Sequence, residues 1–144
     1  MKCNEVMTKN PVCCLPDDYV VKAADSMKRL DIGSIPIVET LESGKLVGIL
    51  TDRDLALKVV AEKRDFETTK VKEVMTSKVV SCHMDDDVQK AMDAMAENQL
   101  RRLPVVDSGN RIVGIIAQAD VATRLDQPVR TAEMVKDISQ SKEN

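Results

Sequence analysis

The sequence repeats itself, and that limits the fold more than any other feature. Glu5-Val6-Met7-Thr8 recurs as Glu73-Val74-Met75-Thr76, an offset of 68 residues. The same offset superposes Val12 on Val80, Cys14 on Cys82 and Asp17-Asp18 on Asp85-Asp86. It also brings Val20, Lys22, Ala23, Asp25 and Met27 onto Val88, Lys90, Ala91, Asp93 and Met95. Pro36 and Val38 meet Pro104 and Val106. Beyond this point the offset falls to 66, with Val47-Gly48-Ile49 on Val113-Gly114-Ile115 and Asp54 on Asp120. The lost pair belongs to a polar stretch, 39–45 in the first copy and 107–111 in the second. A surface hairpin loop tolerates such a change. One supersecondary unit is therefore built twice.

Each copy predicts the order strand, helix, strand, strand, helix. Residues 12–15 and 79–82 are short β-prone runs. Asp17 and Asp85 are placed to cap the helices that follow, where carboxylates also suit the helix dipole. Val20, Ala23, Ala24, Met27 and Leu30 share one helical face, as do Val88, Ala91, Met92 and Met95. Two apolar strands then form a hairpin in each copy, and Pro36 and Pro104 favour an edge or a strand start. A last helix opens near Asp52 or Gln118, with Leu55, Leu57, Val59 and Val60 as its apolar surface in the first copy. The expected domains are copy 1 over 1–63, a linker over 64–72 with the lone Phe66, copy 2 over 73–127 and a polar tail, with a short helix, over 128–144. One copy of about 60 residues is marginal alone. The expected fold is one pseudo-symmetric α+β unit of two β-α-β-β-α repeats, each a three-stranded sheet with helices.

Composition removes several functions. A net charge of −3 does not supply the positive field of a nucleic-acid binder, and Tyr19 and Phe66 are too few aromatics for base stacking. No apolar run approaches the roughly 18 residues of a membrane span, and the start MKCNEV lacks a signal-peptide core, so the expected compartment is the cytoplasm. His83 is the single histidine and no Cys-x-x-Cys pair exists, so zinc is not expected. Cys13, Cys14 and Cys82 read as small strand hydrophobes, and Cys3 as the exposed thiol open to an intermolecular disulfide or a redox role. Asp85-Asp86-Asp87 reads as helix N-terminal chemistry rather than a metal site. No nucleophile–base pair, glycine-rich phosphate loop or carboxylate dyad stands out, so no enzyme is expected.

The motifs that carry a family resemblance are Val-Met-Thr at the head of each copy, Ile35-Pro36-Ile37-Val38 and Leu103-Pro104-Val105-Val106 midway, and Gly48-Ile49-Leu50-Thr51-Asp52-Arg53-Asp54 closing the first copy. Over about residues 5–126 the chain resembles a tandem pair of CBS (cystathionine β-synthase) domains, a Bateman module. The resemblance implies a regulatory sensor that holds AMP, ADP, ATP, S-adenosylmethionine or a related adenosyl ligand in clefts between the two repeats. It further implies a homodimer that conveys occupancy to a regulated protein encoded elsewhere.

Thr51 stands at a helix start, where free N–H groups favour an anion, and Asp54 can accept from adjacent ribose hydroxyls. Thr51 and Asp54 occupy the family's phosphate and ribose positions; the alternative is that they only cap a helix. The second copy keeps Asp120 but has Ala117 where the hydroxyl should be. It also has Arg101-Arg102 where the first has Gly33-Ser34. A basic residue there reaches ligand phosphates in the family, and guanidinium suits bidentate contact; the alternative is a solvated pair. The arginine cleft is thus favoured for a charged nucleotide. With no aromatic to stack on, the adenine would lie among Val12, Ile37, Val80, Val105 and similar side chains, with Pro104 also a candidate ligand-binding residue; the alternative for each of these valines, and the favoured one, is plain core packing. By resemblance the start of the opposite copy would form a wall: Thr76 to Val80 facing Asp54, and Thr8 to Val12 facing Asp120. Two other functions stay open, a structural or protein-interaction module with empty clefts and a cysteine-based metal or redox sensor.

Overall fold

The computed structural model describes residues 1–125. The expected tail over 128–144 and the end of copy 2 lie outside them. In chain order the elements are α1 (Cys3–Val6), β1 (Thr8–Lys9), α2 (Val20–Leu30), β2 (Ser34–Val38), β3 (Leu46–Thr51) and α3 (Asp52–Asp54). A π-helical stretch (Leu55–Val60) and a 3-10 turn (Val71–Glu73) follow, then β4 (Cys82–His83), α4 (Val88–Asn98), β5 (Arg102–Val106), β6 (Ile112–Ala117) and α5 (Gln118–Leu125). Among the described residues no helix is long and apolar enough to cross a membrane.

Two compact units form, and they are not cut where the sequence copies are. One joins Met1–Pro11 to the chain from Val80 onward; the other is Val12–Val79. The segment that heads each copy in sequence therefore packs with the opposite copy. In the first unit the sheet order is β1-β6-β5-β4, with β1 antiparallel to β6 (Thr8 opposite Ile115) and β4 parallel to β5 (Cys82 opposite Val105). In the second unit β2 and β3 pair antiparallel. Single bridges stand in for its outer strands: Cys14 parallel to Ile37, and Thr76 antiparallel to Ile49. The expected three lanes of each sheet are present, and the exchanged segment adds a fourth.

The exchanged segments also supply core. Cys3 and Val6 join Val88, Ala91, Met92, Met95, Leu103 and Ile116. At equivalent positions Val71 and Val74 join Val20, Ala23, Ile35 and Leu50. Burying one such valine contributes about 1.5–3 kcal/mol. Cys3 is 0% exposed, which corrects its expected exposure: α1 turns its thiol into this core.

Several local expectations are corrected. Asp17 and Asp85 do not cap α2 and α4, because a turn intervenes between strand and helix. Asp18 and Asp86 close that turn, accepting from Leu15 N (2.8 Å) and His83 N (2.9 Å). Asp87 caps α4 by accepting from Gln89 N, while Asp17 pairs with Lys72 at 3.0 Å. Pro104 sits inside β5, between β6 and β4, rather than at an edge or a start, whereas Pro36 lies mid-strand in β2, an edge strand whose outer side carries only the single Cys14 bridge. Pro36 turns its carbonyl to Cys14 N (3.1 Å), away from β3, so its missing N–H takes no bond from that ladder. Leu57 and Val60 are exposed, whereas Leu55 and Val59, four residues apart, face the core.

Close backbone approach explains Gly48 and Gly114. A Cβ on Gly114 would stand 2.5 Å from Met7 Sδ and 2.8 Å from the Thr8 carbonyl; on Gly48 it would stand 2.6 Å from Met75 Sδ and 3.2 Å from the Thr76 carbonyl. A methionine tip can move aside, but backbone in a paired strand cannot. Gly114→Ala should therefore destabilise by about 1–3 kcal/mol, and Gly48→Ala by less. Denaturant midpoints of the two variants check this order; the reverse order would contradict it.

Candidate functional site

In the unit Val12–Val79, β3 runs straight into α3 at Thr51. Thr51 Oγ1 accepts from Asp54 N at 3.0 Å, and Asp54 Oδ2 accepts from Thr51 N at 3.0 Å. The two side chains thus make a reciprocal capping box, the structural role left open from sequence. Asp54 does more than cap. It is only 8% exposed, and its Oδ1 lies 3.0 Å from Lys58 Nζ. An ionised carboxylate has about four acceptor positions. The backbone and Lys58 use two, so Asp54 retains capacity for ligand donors. Thr76, exposed, runs beside this turn on the exchanged lane, exchanging 2.9 Å backbone bonds with Ile49.

In the other unit the same turn joins β6 to α5. Ala117 cannot cap, and Gln118 N donates to the Arg101 carbonyl at 2.9 Å, as Asp52 N does to the Gly33 carbonyl. Arg102 opens β5 directly opposite Ala117, so the register carries the basic pair to the mouth of α5. Both arginines are exposed, Asp120 is half-buried, and Thr8 lies on the neighbouring lane. The Gln118 side-chain oxygen is buried without a hydrogen-bond partner. Such an acceptor costs about 1–3 kcal/mol, which an arriving donor would relieve.

The structure thus groups Thr51, Asp54 and Thr76 in one unit, and Arg101, Arg102, Asp120 and Thr8 in the other. Ile37 and Val105 are wholly buried core side chains and Pro104 is also buried, so their accessible chemistry is backbone. Val12 is 42% exposed; Val80 packs partly buried against the core of its own unit.

Two residues escaped the sequence reading. Lys58 Nζ donates to the Val74 carbonyl at 3.1 Å, and Arg124 Nη1 donates to the Glu5 carbonyl at 3.0 Å. Each cation lies four residues after its aspartate and clasps the exchanged segment. The signal was a cation four residues beyond Asp54 and Asp120, repeated at the offset of 66. Among the described residues no group of three or more His, Cys, Asp or Glu side chains could hold a metal.

Comparison with known proteins follows the two sequence copies. The family model for the CBS domain matches residues 3–61 and 71–127. The CBS domain-containing protein YhcV of Bacillus subtilis is 42% identical over 118 residues, 82% of this chain and 81% of that protein. Hypoxic response protein 1 of Mycobacterium tuberculosis is 32% identical over 123 residues, 85% of this chain and 84% of its own length. Among solved structures, the CBS domain pair of protein MJ0100, in complex with 5′-methylthioadenosine and S-adenosyl-L-methionine, superposes with a TM-score of 0.75 at 30% identity, covering 87% of this chain and 99% of that one. With both copies matched by the model and relatives of similar length aligned along most of the chain, this protein belongs to the CBS domain family, as a tandem pair.

Proposed function

We propose that this chain is a regulatory module that binds adenosyl ligands at two unequal sites and passes their occupancy to a partner protein. The observation that carries this reading is the repeated placement of one aspartate, Asp54 or Asp120, on the turn after each hairpin, beside a lane from the opposite sequence copy. Each site is thus lined by both copies while lying in a single compact unit. The adenosyl ligands of the MJ0100 pair, 30% identical, favour the same ligand class here.

The two sites differ in charge. Around Asp120, Arg101 and Arg102 supply two guanidinium groups suited to phosphate oxygens. Gln118 adds an unpaired acceptor for a donor on the ligand. A phosphorylated nucleotide, AMP, ADP or ATP, fits this site best. Around Asp54 the matching positions are Gly33 and Ser34, which bring no charge. An adenosyl ligand without phosphates, of the S-adenosylmethionine class, fits there. With Tyr19 and Phe66 the only aromatics of the chain, the adenine rests on aliphatic side chains and backbone.

The route outward starts at the same carboxylates. Ribose hydroxyls donating to Asp54 would share its carboxylate with Lys58, which also donates to the Val74 carbonyl, and so weaken the pull on that ammonium. Ligand would then shift how firmly the exchanged segment is held, to the extent that it binds one arrangement better. Exposed Leu57, Val60 and Phe66 give the unit Val12–Val79 apolar surface suited to a second copy, in keeping with a homodimer.

Calorimetric titration with AMP, ATP, S-adenosylmethionine and adenosine tests the reading. Arg102→Ala should weaken phosphorylated ligands by about 10- to 100-fold, the worth of a charged hydrogen bond, and adenosine little; equal losses would argue against a phosphate role. Asp54→Ala should abolish binding at its own site and leave nucleotide binding at Asp120 intact. Wild-type protein silent toward every ligand at millimolar concentration would favour an interaction module without ligand. Lys58→Met should speed amide exchange across residues 71–76 without ligand; unchanged exchange would remove Lys58 from the route.

A further inference from the structure

Two of the four cysteines meet in the core. Cys3, at the first position of α1, and Cys82, on β4, belong to the same buried cluster and are 0% and 6% exposed. Their thiols hydrogen-bond to one another. The surrounding backbone fixes both ends: Cys3 N donates to the Asp86 carbonyl at 2.9 Å, Lys2 bridges Asp87, and Cys82 is paired with Val105. Both thiols also lean on backbone carbonyls, Cys3 on Asp87 (3.9 Å) and Cys82 on Pro104 (3.8 Å).

The other unit carries its own control. The offset of 68 sets Cys82 on Cys14 but Cys3 on Val71. The equivalent place in the second core therefore holds one thiol and a valine. The pair is a property of one unit alone, and the repeat does not require it.

We propose that Cys3 and Cys82 are a redox-modification site, which hydrogen peroxide converts to an intramolecular disulfide tying α1 and β1 to their sheet. A disulfide needs Cα atoms within about 7 Å and brings the sulfurs to about 2.05 Å; the bonds from Cys3 N to the Asp86 carbonyl (2.9 Å) and from Asn4 N to the Met84 carbonyl (3.0 Å) hold α1 against the turn that follows Cys82. A side-chain hydrogen bond with Cys82 holds the Cys3 thiol below its usual range. The same bond, with burial, pushes Cys82 up. Cys3 is thus the readier thiolate, and the thiolate is the nucleophile. It attacks one peroxide oxygen: an S–O bond forms, the O–O bond breaks, and hydroxide leaves, taking the Cys3 proton as water. The Cys82 sulfur then attacks the sulfenic sulfur, forming S–S and expelling the second oxygen as water with the Cys82 proton. Two thiols lose two electrons and one peroxide gains them. Peroxide is little larger than water, so small openings of the segment admit it.

The consequence is a tether on Thr8, the lane beside Asp120. Reduced, the segment is held by β1 pairing, the Arg124–Glu5 contact and its buried side chains. Oxidised, it is held covalently as well.

The test treats the full chain with hydrogen peroxide, blocks remaining thiols with N-ethylmaleimide under denaturing conditions and maps peptides without reduction. The expected result is a Cys3–Cys82 cross-link within one chain, reversed by a dithiol, with Cys13 and Cys14 staying reduced. Cys3→Ser and, separately, Cys82→Ser should abolish it; Cys14→Ser should not. Cross-links between chains, a Cys13–Cys14 product or four blocked thiols after peroxide would each overturn the proposal. The wild-type map decides even if Cys82→Ser fails to fold. Amide exchange across residues 1–11 reads the tether: it should slow severalfold on oxidation, and equal exchange in both forms would overturn it.

Discussion

The structure depends on how closely two short exchanged segments approach two glycines. Met7-Thr8 lies over Gly114 and Met75-Thr76 over Gly48, at distances that leave no room for a Cβ without displacing its neighbour. That contact admits the fourth lane of each sheet. The buried Cys3, Val6, Val71 and Val74 and the clasping Lys58 and Arg124 hold the same segments. A copy of about 60 residues leaves much of its apolar surface uncovered. Exchanging heads covers part of it while interlocking the two copies in sequence.

The same exchange gives the candidate sites their character. Each aspartate stands on a turn beside the lane that heads the opposite sequence copy, Thr76 for Asp54 and Thr8 for Asp120, so a site in one unit samples both copies. The sites have also diverged within this shared frame. Thr51 and Asp54 are satisfied by each other, and Lys58 neutralises the carboxylate. At the other turn Ala117 leaves no such box, Arg102 sits across the ladder, and Gln118 keeps an unmatched buried oxygen. One turn is thus electrostatically closed on itself, whereas the other is left cationic and incompletely paired.

Much of the fold was legible because it is written twice. A lone Val-Met-Thr or Thr-x-x-Asp would have carried little weight; the same residues recurring in order revealed the repeat, the hairpins and both aspartates. Local signals were less reliable. Asp17 and Asp85 resembled helix caps, but capping depends on where the chain actually turns, and Asp87 and the Asp18 and Asp86 turns took those roles. Pro104 looked like an edge residue because sequence does not show which side of a strand its neighbours occupy. Cys3 looked exposed because nothing local indicates that α1 packs into the opposite copy.

By itself the sequence determined the double β-α-β-β-α order, the hairpins with their shortened second loop, the aspartates of both turns and the unequal basic charge near them. These follow from periodicity, composition and spacing, which are local properties. Only the tertiary structure decided which copy each heading segment joins, which carbonyls Lys58 and Arg124 reach, and that Cys3 meets Cys82. Those outcomes are set by contacts between residues far apart in the chain, where alternatives equal in local propensity differ only in how well they pack and pair.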